Sequence, residues 1–524
     1  MTNLEHNKIP EYVKNALEVL HDAGFECFIV GGCVRDLIVG REPNDWDLTT
    51  NATPEQIIAL FPKTVYENSF GTVAVVYEVE SSKLKAELEA ESLMLKAKRV
   101  GEDTIENAEV KEEENFIIEI TPYRTESKYS DNRHPDTVQF AKTLSEDLKR
   151  RDFTINALAY DFYKGQIVDE WGGMSDIKDK VIKTVGDANE RFQEDALRMA
   201  RAVRFSTQLG FAINGDTLSA ITQNKDLIKN VSSERIRDEF EKIIMSDQPV
   251  VGIGLLQKLG LLSHIIPELD EGVGCEQKGE HIYDVFEHVL HALGHASEKK
   301  WPLHIRLSAL FHDIGKPRTR RWDGTKAGGA GKYTFYGHEV VGAHMTKKIM
   351  ERMKFPKDIT ELVVKFVRYH MFFSDTKTIT LSAVRRTIVN VGRENIWELM
   401  EVRECDRIGM KKNETSYRLR KYHAMIEEAL RAPTSVGMLK INGEVLIKEL
   451  GIKPGPRMGW ILHALLDECL EDDTKNNSDY LKSQTLKLNS LSNNELKELG
   501  EKGKDKKEEV EEGELKGIRK KHGV

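Results

Sequence analysis

Apolar and polar positions along the chain alternate with two different periods and divide it into short blocks. Val13, Ala16, Leu17 and Leu20 recur at helical spacing and Gly24 closes the run, so residues 10–24 predict an amphipathic helix. Phe28-Ile29-Val30 is a short apolar run ending in a diglycine, which predicts a buried strand entering a tight turn. Pro54, after Thr53 and before Glu55, marks the first turn of a short helix to Leu60. Gly71–Tyr77 and Phe116–Thr121 are rich in β-branched residues and predict two strands that pair if the segment between them loops out. Leu197, Ala200 and Val203 form the apolar stripe of a helix that also carries arginines. Pro454-Gly455-Pro456 predicts a turn into another helix, with Ile461, Leu462, Leu465, Leu466 and Leu470 at its apolar positions. From about Asp472 the pattern turns polar, and Leu491–Val524, with mixed Lys and Glu, predicts a solvent-exposed helix or a disordered tail.

Composition narrows the class. A chain of 524 residues exceeds one ordinary core and implies roughly two to four domains. No apolar run approaches the roughly 18 residues of a membrane span, and MTNLEHNKIP lacks a signal-peptide core, so a cytoplasmic protein without a membrane partner is expected. Cys27, Cys33, Cys275, Cys405 and Cys469 show no C-x-x-C spacing, which argues for reduced thiols rather than a disulfide framework or a zinc ribbon. The net charge of −9 counts little against a nucleic-acid partner, because over half of the acidic excess lies in one stretch. Between Glu80 and Glu114 there are 11 acidic and 6 basic residues, and segment 80–115 reads as a solvated insertion.

The chemistry gathers around Gly31-Gly32-Cys33-Val34-Arg35-Asp36 and Asp45-Trp46-Asp47. Carboxylates one residue apart on an extended segment share a face, where they suit a hard cation such as Mg²⁺. The diglycine lets backbone N–H groups approach a phosphate, and Arg35 adds fixed positive charge beside it. Glu119, between Ile118 and Ile120, is a candidate third carboxylate, with a plain outward-facing strand residue as the alternative. Arg150-Arg151, read as preceding a helix start, can clamp a triphosphate or lie on the surface.

G-G-x-V-R-D with D-x-D, then Arg150-Arg-Asp-Phe-Thr-Ile-Asn-Ala157, Asp169-Glu-Trp-Gly-Gly173, Arg191-Phe-Gln-Glu-Asp195-Ala-Leu-Arg198-Met-Ala-Arg201-Ala-Val-Arg204-Phe205 and Glu234-Arg235-Ile236-x-x-Glu239-Phe240 together resemble the bacterial tRNA nucleotidyltransferases. These are the CCA-adding enzymes, which share their head with bacterial poly(A) polymerases. The resemblance covers residues 25–245 and implies an α+β protein, with a polymerase-β-like nucleotidyltransferase head followed by all-helical neck, body and further domains. It implies Asp45 and Asp47 as Mg²⁺ ligands, and Gly32, Arg35 and Arg151 as contacts to the incoming nucleotide. Asp195 and Arg198 become the protein template, and Arg201 and Arg204 face the triphosphate or the RNA end. Asp195 and Arg198 are expected on one helix face, where a carboxylate acceptor and a guanidinium donor match cytosine and adenine but not uracil or guanine. Partners implied are the tRNA 3′ end, CTP and ATP. The polar loop 124–140, with Arg124, Glu126, Asp131, Arg133, His134, Pro135 and Asp136, favours addition of the full CCA or of its terminal A over addition of CC alone.

Nine of the 16 histidines fall between His281 and His370. His288, His312-Asp313, His338, His370 and Asp406 follow an order that resembles the HD phosphohydrolase superfamily, a helical fold holding one or two divalent metals. The resemblance implies a first site of His288, His312, Asp313 and Asp406, with His338 and His370 able to add a second metal bridged by Asp313. Imidazole with carboxylate suits Mn²⁺, Fe²⁺ or Ni²⁺. The expected organisation is a head over 1–165, a helical neck over 166–275, an HD domain over 276–410, a helical body over 411–480 and a charged tail over 481–524. The leading expectation is a template-independent polymerase building the 3′-terminal CCA of tRNA. The alternatives are a poly(A) polymerase or A-adding enzyme and, from another class, a metal-dependent phosphohydrolase acting on RNA ends.

Overall fold

The computed structural model describes residues 6–67, 71–78, 115–126, 138–277, 282–324, 332–371, 380–408, 417–431 and 436–522. Segment 80–114 and loop residues 127–137, with Asp131, Arg133, His134, Pro135 and Asp136, lie outside them.

The N-terminal part is built on strands β1 (Cys27–Val30), β2 (Trp46–Thr50), β3 (Thr64–Glu67), β4 (Thr72–Glu78), β5 (Asn115–Pro122), β6 (Arg124–Glu126), β7 (Val138–Phe140), β8 (Leu158–Asp161) and β9 (Gln166–Asp169). Seven of them form one mixed sheet in the order β3-β4-β5-β2-β1-β8-β9, and β6 pairs with β7 separately. Among the described strands of the large sheet only β2 and β5 run parallel, with Asp47 directly beside Glu119. β4 and β5 pair antiparallel from Val73↔Ile120 to Glu78↔Asn115, so the expected strand pair forms with its charged connection spliced between adjacent ends. The helix Glu11–Asp22 packs Val13, Ala16, Leu17 and Leu20 against this sheet's core, as their spacing predicts. Thr53 closes a capping box with Gln56 and Pro54 occupies the first turn of the helix Pro54–Leu60.

One expectation fails between the head motifs. No helix starts after Arg150-Arg151: the helix Leu144–Lys149 ends just before them, and Thr154–Asn156 is a single 3₁₀ turn leading into fully buried β8. The apolar run Phe153–Ala159 is thus a core-crossing turn and strand, which periodicity does not distinguish from a buried helix.

Beyond β9 the described chain is almost entirely helical, with two exceptions of two or three residues per strand: Val181–Ile182 with Ala212–Ile213, and Arg321–Asp323 with Lys332–Thr334. One apolar core runs without a break from Ile9 through Phe205 and Leu256 to Val363 and Val367. A second surrounds Ile396, Leu399 and Ile426, and a third surrounds Leu446, Ile461 and Leu465. Leu481, Leu488 and Leu496 join the third core, so the stretch that reads as polar in sequence supplies buried leucines. The tail forms a single helix, Asn493–His522. Gly500 and Gly503 let it lie directly on the helix Pro456–Glu471, since a Cβ at Gly503 would fall 2.2 Å from the His463 carbonyl oxygen. Its far end pairs Arg519 with Glu428 and Lys521 with Glu427. No helix among the described residues is long and apolar enough to cross a membrane.

Candidate functional site

A cleft of about 520 Å³ opens between the head sheet and the helix Leu197–Leu209. Gly31, Gly32, Arg35, Asp45, Asp47, Arg151, Asp195, Arg198, Arg201 and Arg204 all line it. It is joined at Gly32, Arg35, Asp45, Asp47 and Arg204 to a second cleft of about 540 Å³ that extends to Arg41 and Lys242.

Gly31 has φ of +81°, the left-handed region that glycine occupies without steric cost, and caps the helix Gly32–Val39. A Cβ there would sit 2.9 Å from Arg151 Nη1 and 3.7 Å from Asp47 Oδ2, so the missing side chain leaves the gap between a guanidinium and a carboxylate. Asp45 is exposed immediately before β2, and Asp47 is half-buried within it. Burial, the Glu119 carboxylate and then Asp45 push Asp47 up to about 6, against the pull of Arg151. Such a carboxylate is under-neutralised by the protein, which fits a cation site with hard oxygen donors. Glu119 itself is exposed, which removes the burial argument for it as a ligand. Glu119, paired with Asp47 across the two parallel strands, acts on that carboxyl through its charge.

The arginines are held in place by acids. Arg35 makes a fork onto Asp36, with both N···O distances 2.9 Å, and donates Nη1 to Asn156 Oδ1 at 2.6 Å. Asp147 is buried between Arg150 and Arg151, and although burial works to raise its carboxyl, the two guanidiniums hold it below the usual range. Arg201 reaches Asp152 at 2.8 Å, and Arg204 reaches Glu239 at 2.5 Å. The Phe205 ring carries three guanidiniums: Arg204 at 3.9 Å from its centroid, Arg35 at 5.2 Å and Arg201 at 5.4 Å. Rigidly held guanidiniums around a cavity suit a polyphosphate, because little further ordering is needed when it binds.

Asp195 and Arg198 do not share a helix face. The helix Ala188–Glu194 ends before Asp195, whose backbone is extended, and the next helix begins at Leu197. Asp195 Oδ1 accepts from the Leu197 N–H at 3.1 Å, and Oδ2 accepts from Arg235 at 2.7 Å. Arg198 donates to Glu194 at 2.7 Å and to the Arg150 carbonyl at 3.0 Å. The two still line one cleft, brought together by the break between helices rather than by helical periodicity. Arg235, Asp152, Asn156, Phe205 and Glu239 complete the site; each lies inside or next to a sequence motif, but only the fold shows which face inward.

A second cluster lies far along the chain. His288, His312, Asp313 and Asp406 bring donor atoms within 4.8 Å of one another, and so do Asp313, His338 and His370; all six residues are buried. Asp313 is shared, with Oδ2 3.3 Å from His312 Nε2 and Oδ1 3.3 Å from His338 Nε2. Carbonyl oxygens only accept, so His312, His338 and His370 must each carry a proton on Nδ1, where Ala309, Phe335 and Val367 lie 2.7 to 2.8 Å away. That turns their Nε2 atoms inward, and the pairs His288/His312 and His338/His370 face one another at 3.2 and 3.3 Å. Between His338 and His370, both oriented by carbonyl acceptors, the facing lone pairs need a cation or a proton between them, which is the arrangement of a metal site. Burial opposes protonation of His312, but Asp313 and Asp406 outweigh it and lift the ring to about 10. Lys316, one helical turn beyond Asp313, is buried with Nζ 2.5 Å from that carboxylate.

Residues 27–93 and 72–183 match the Poly A polymerase head domain family, 210–272 match the probable RNA and SrmB-binding site of polymerase A, and 285–411 match the HD domain family. The chain is 44% identical over 241 residues to a CCA-adding enzyme of Lactobacillus helveticus, covering 45% of this chain and 51% of the relative. It is 33% identical over 350 residues to a CCA-adding enzyme of Bacillus licheniformis, covering 64% of this chain and 79% of the relative. The chain thus spans about half the length of the first relative and most of the second. Among solved structures, the Bacillus stearothermophilus CCA-adding enzyme in complex with CTP is similar with a TM-score of 0.55 and 25% identity, covering 92% of this chain and 98% of that one.

Proposed function

We propose, since this chain belongs to the family of CCA-adding tRNA nucleotidyltransferases, that it extends the 3′ end of tRNA with CTP and ATP to form CCA. The observation that carries this reading is the arginine-lined cleft in which the under-neutralised Asp47 and the Asp195/Arg198 pair face one cavity. In this reading residues 1–165 are the head, 166–275 select the nucleotide and contact RNA, and 276–410 form the HD domain.

Arg35 and Arg151, with the backbone at Gly32, hold the triphosphate, and Asp45 and Asp47 hold Mg²⁺. When bound, that ion supplies charge stabilisation at the attacking and leaving oxygens. The terminal ribose 3′-hydroxyl attacks the α-phosphorus in line; its O–P bond forms as the bond to the β-phosphate oxygen breaks, the electron pair leaves with pyrophosphate, and the hydroxyl proton passes to solvent. Asp195 accepts from the exocyclic amine of cytosine or adenine while Arg198 donates to the ring acceptors. Both already carry internal partners, Arg235 and Glu194, so a base must offer equivalent hydrogen bonds to replace them. Uracil and guanine present a carbonyl oxygen to Asp195 and fail that exchange. Arg198→Ala should lower kcat/KM for CTP and ATP by about 10²-fold and narrow the margin over UTP and GTP, as measured with each nucleotide separately.

The test is primer extension on tRNAs ending before CCA, after C and after CC. Growth by three, two and one nucleotides followed by arrest supports the reading; continued A addition reassigns the protein as a poly(A) polymerase, and extension of the CC-ended tRNA alone as an A-adding enzyme. Metal demand should also depend on pH. A carboxylate lifted to about 6 competes for its cation with a proton as pH falls through that value. The Mg²⁺ concentration for half-maximal addition is therefore expected to rise by about tenfold per pH unit below 6 and to level off above 7; a flat profile between pH 5 and 7 contradicts it.

A second reading rests on the inward-facing Nε2 atoms of the HD cluster, which favour Mn²⁺, Fe²⁺ or Ni²⁺ and phosphate-ester hydrolysis at RNA ends. Phosphate release that survives Asp47→Ala and disappears in His312→Ala would establish it.

A further inference from the structure

Outside the cleft, the helices His338–Arg352, Lys357–Tyr369 and Leu381–Val391 together carry eight Lys and Arg against four Asp and Glu in a chain of net charge −9, with Arg352 taken up by Glu268. A groove of about 580 Å³ runs between the first two of these helices and reaches Asn390 near the end of the third. Its lining is mostly apolar, with Ala343, Val364 and Tyr369, and it carries the cations Lys347, Lys365 and Arg368 beside the single carboxylate Glu361, which meets Lys357 at 3.7 Å. The neighbouring carboxylates hold these cations weakly. Lys347 meets Glu351 at 3.8 Å with both side chains 59% exposed, and Arg368 meets Glu339 at 3.8 Å. The guanidinium of Arg368 lies 5.4 Å from the Tyr369 ring centroid, which makes a short platform of a flat cation and an aromatic ring. That platform adjoins the imidazole–carboxylate cluster, because Tyr369 precedes His370 and Glu339 follows His338.

We propose that this groove binds single-stranded RNA, with phosphates against Lys347, Lys365 and Arg368 and a base stacked at Tyr369, and that it leads the strand toward the HD cluster. A row of cations beside an apolar and aromatic lining matches a strand that alternates phosphate with flat base. An acidic peptide would use the cations and leave the apolar lining unused. The assignment rests on the reading of the chain as an RNA-handling protein, but it concerns a surface separate from the nucleotide cleft.

The test uses the full chain and a single-stranded RNA decamer carrying 4-thiouridine, irradiated and mapped by peptide mass. A cross-link on the peptide containing Tyr369 is expected, competed by unlabelled RNA and not by poly-glutamate. The double variant Lys365→Glu/Arg368→Glu should cut its yield by tenfold or more. It should also flatten the salt dependence of decamer binding by roughly 1.4 in log–log slope, at about 0.7 for each phosphate no longer neutralised. Cross-links confined to the nucleotide cleft, equal competition by poly-glutamate, or an unaffected double variant would each overturn the proposal. Nucleotide addition on the same wild-type preparation separates the two readings: a groove cross-link without addition overturns the proposed polymerase alone, and addition without the cross-link overturns the groove alone.

Discussion

Asp47→Asn is expected to lower nucleotide addition by about 10³-fold or more while the metal-free protein melts at the same temperature or slightly higher. On the proposed reading the rate loss follows from removing one of two charged cation ligands, at a site where the cation contributes several kcal/mol to the transition state. The stability sign follows from the carboxyl's environment. Its folded value of about 6 lies above the ordinary carboxylate range, so the folded protein prefers the protonated group and loses stability as pH rises from about 4 to 6. An amide of the same shape removes a charge that burial, Glu119 and Asp45 all oppose. Single-turnover rates with Mg²⁺ and thermal melts in EDTA at pH 7 check both halves. A variant that loses activity and also melts several degrees lower would show that Asp47 serves the fold, not a cation.

Gly315→Ala is expected to destabilise the protein by about 3 kcal/mol and, on the metal-site reading of the HD cluster, to lose the metal held by Asp313, His338 and His370, although no ligand is changed. Gly315 has φ of −80°, so conformation is no obstacle. The obstacle is space: a Cβ there would lie 2.3 Å from the His338 carbonyl oxygen and 2.6 Å from the Gly342 nitrogen, both backbone atoms that cannot rotate away. The helix His338–Arg352 would have to move off, drawing His338 from Asp313 and His370, each now 3.3 Å away. Elemental analysis of the purified variant, with a thermal melt beside it, reads both effects. Full metal content with an unchanged melt would contradict the close approach. His338→Ala, which removes a ligand and leaves that backbone approach intact, should lose metal at much smaller cost in stability.

Local signals in the sequence carried much of the head. The helix near residues 10–24, the Pro54 cap and the strands flanking 80–115 all lie where apolar period and turn residues put them, since one buried face sets each of these patterns. The six residues of the HD cluster were also legible from their order in the sequence, and the fold brings their donor atoms together. Three features were not. The break at Asp195 leaves no trace in spacing, because Ala188–Glu194 and Leu197–Leu209 join into one plausible helical run. The turn at Thr154–Asn156 hides in an apolar stretch that suits helix and strand alike. The side-by-side pairing of Glu119 with Asp47 emerges only when the sheet is assembled. Each miss comes from tertiary placement deciding between local readings of similar merit.

The pairing of Glu78 with Asn115 has one further consequence. The chain leaves the sheet and returns to it at neighbouring rungs of one ladder, so the two ends of the intervening stretch are already held together by the fold. Closing such a loop costs only slowly more as it lengthens, by about 0.6 kcal/mol per doubling. The strand register, and with it the alignment of Glu119 beside Asp47, is therefore insulated from whatever length or composition that stretch acquires. The splice point is a neutral port, through which this scaffold can gain or shed an appendage without retuning its catalytic face.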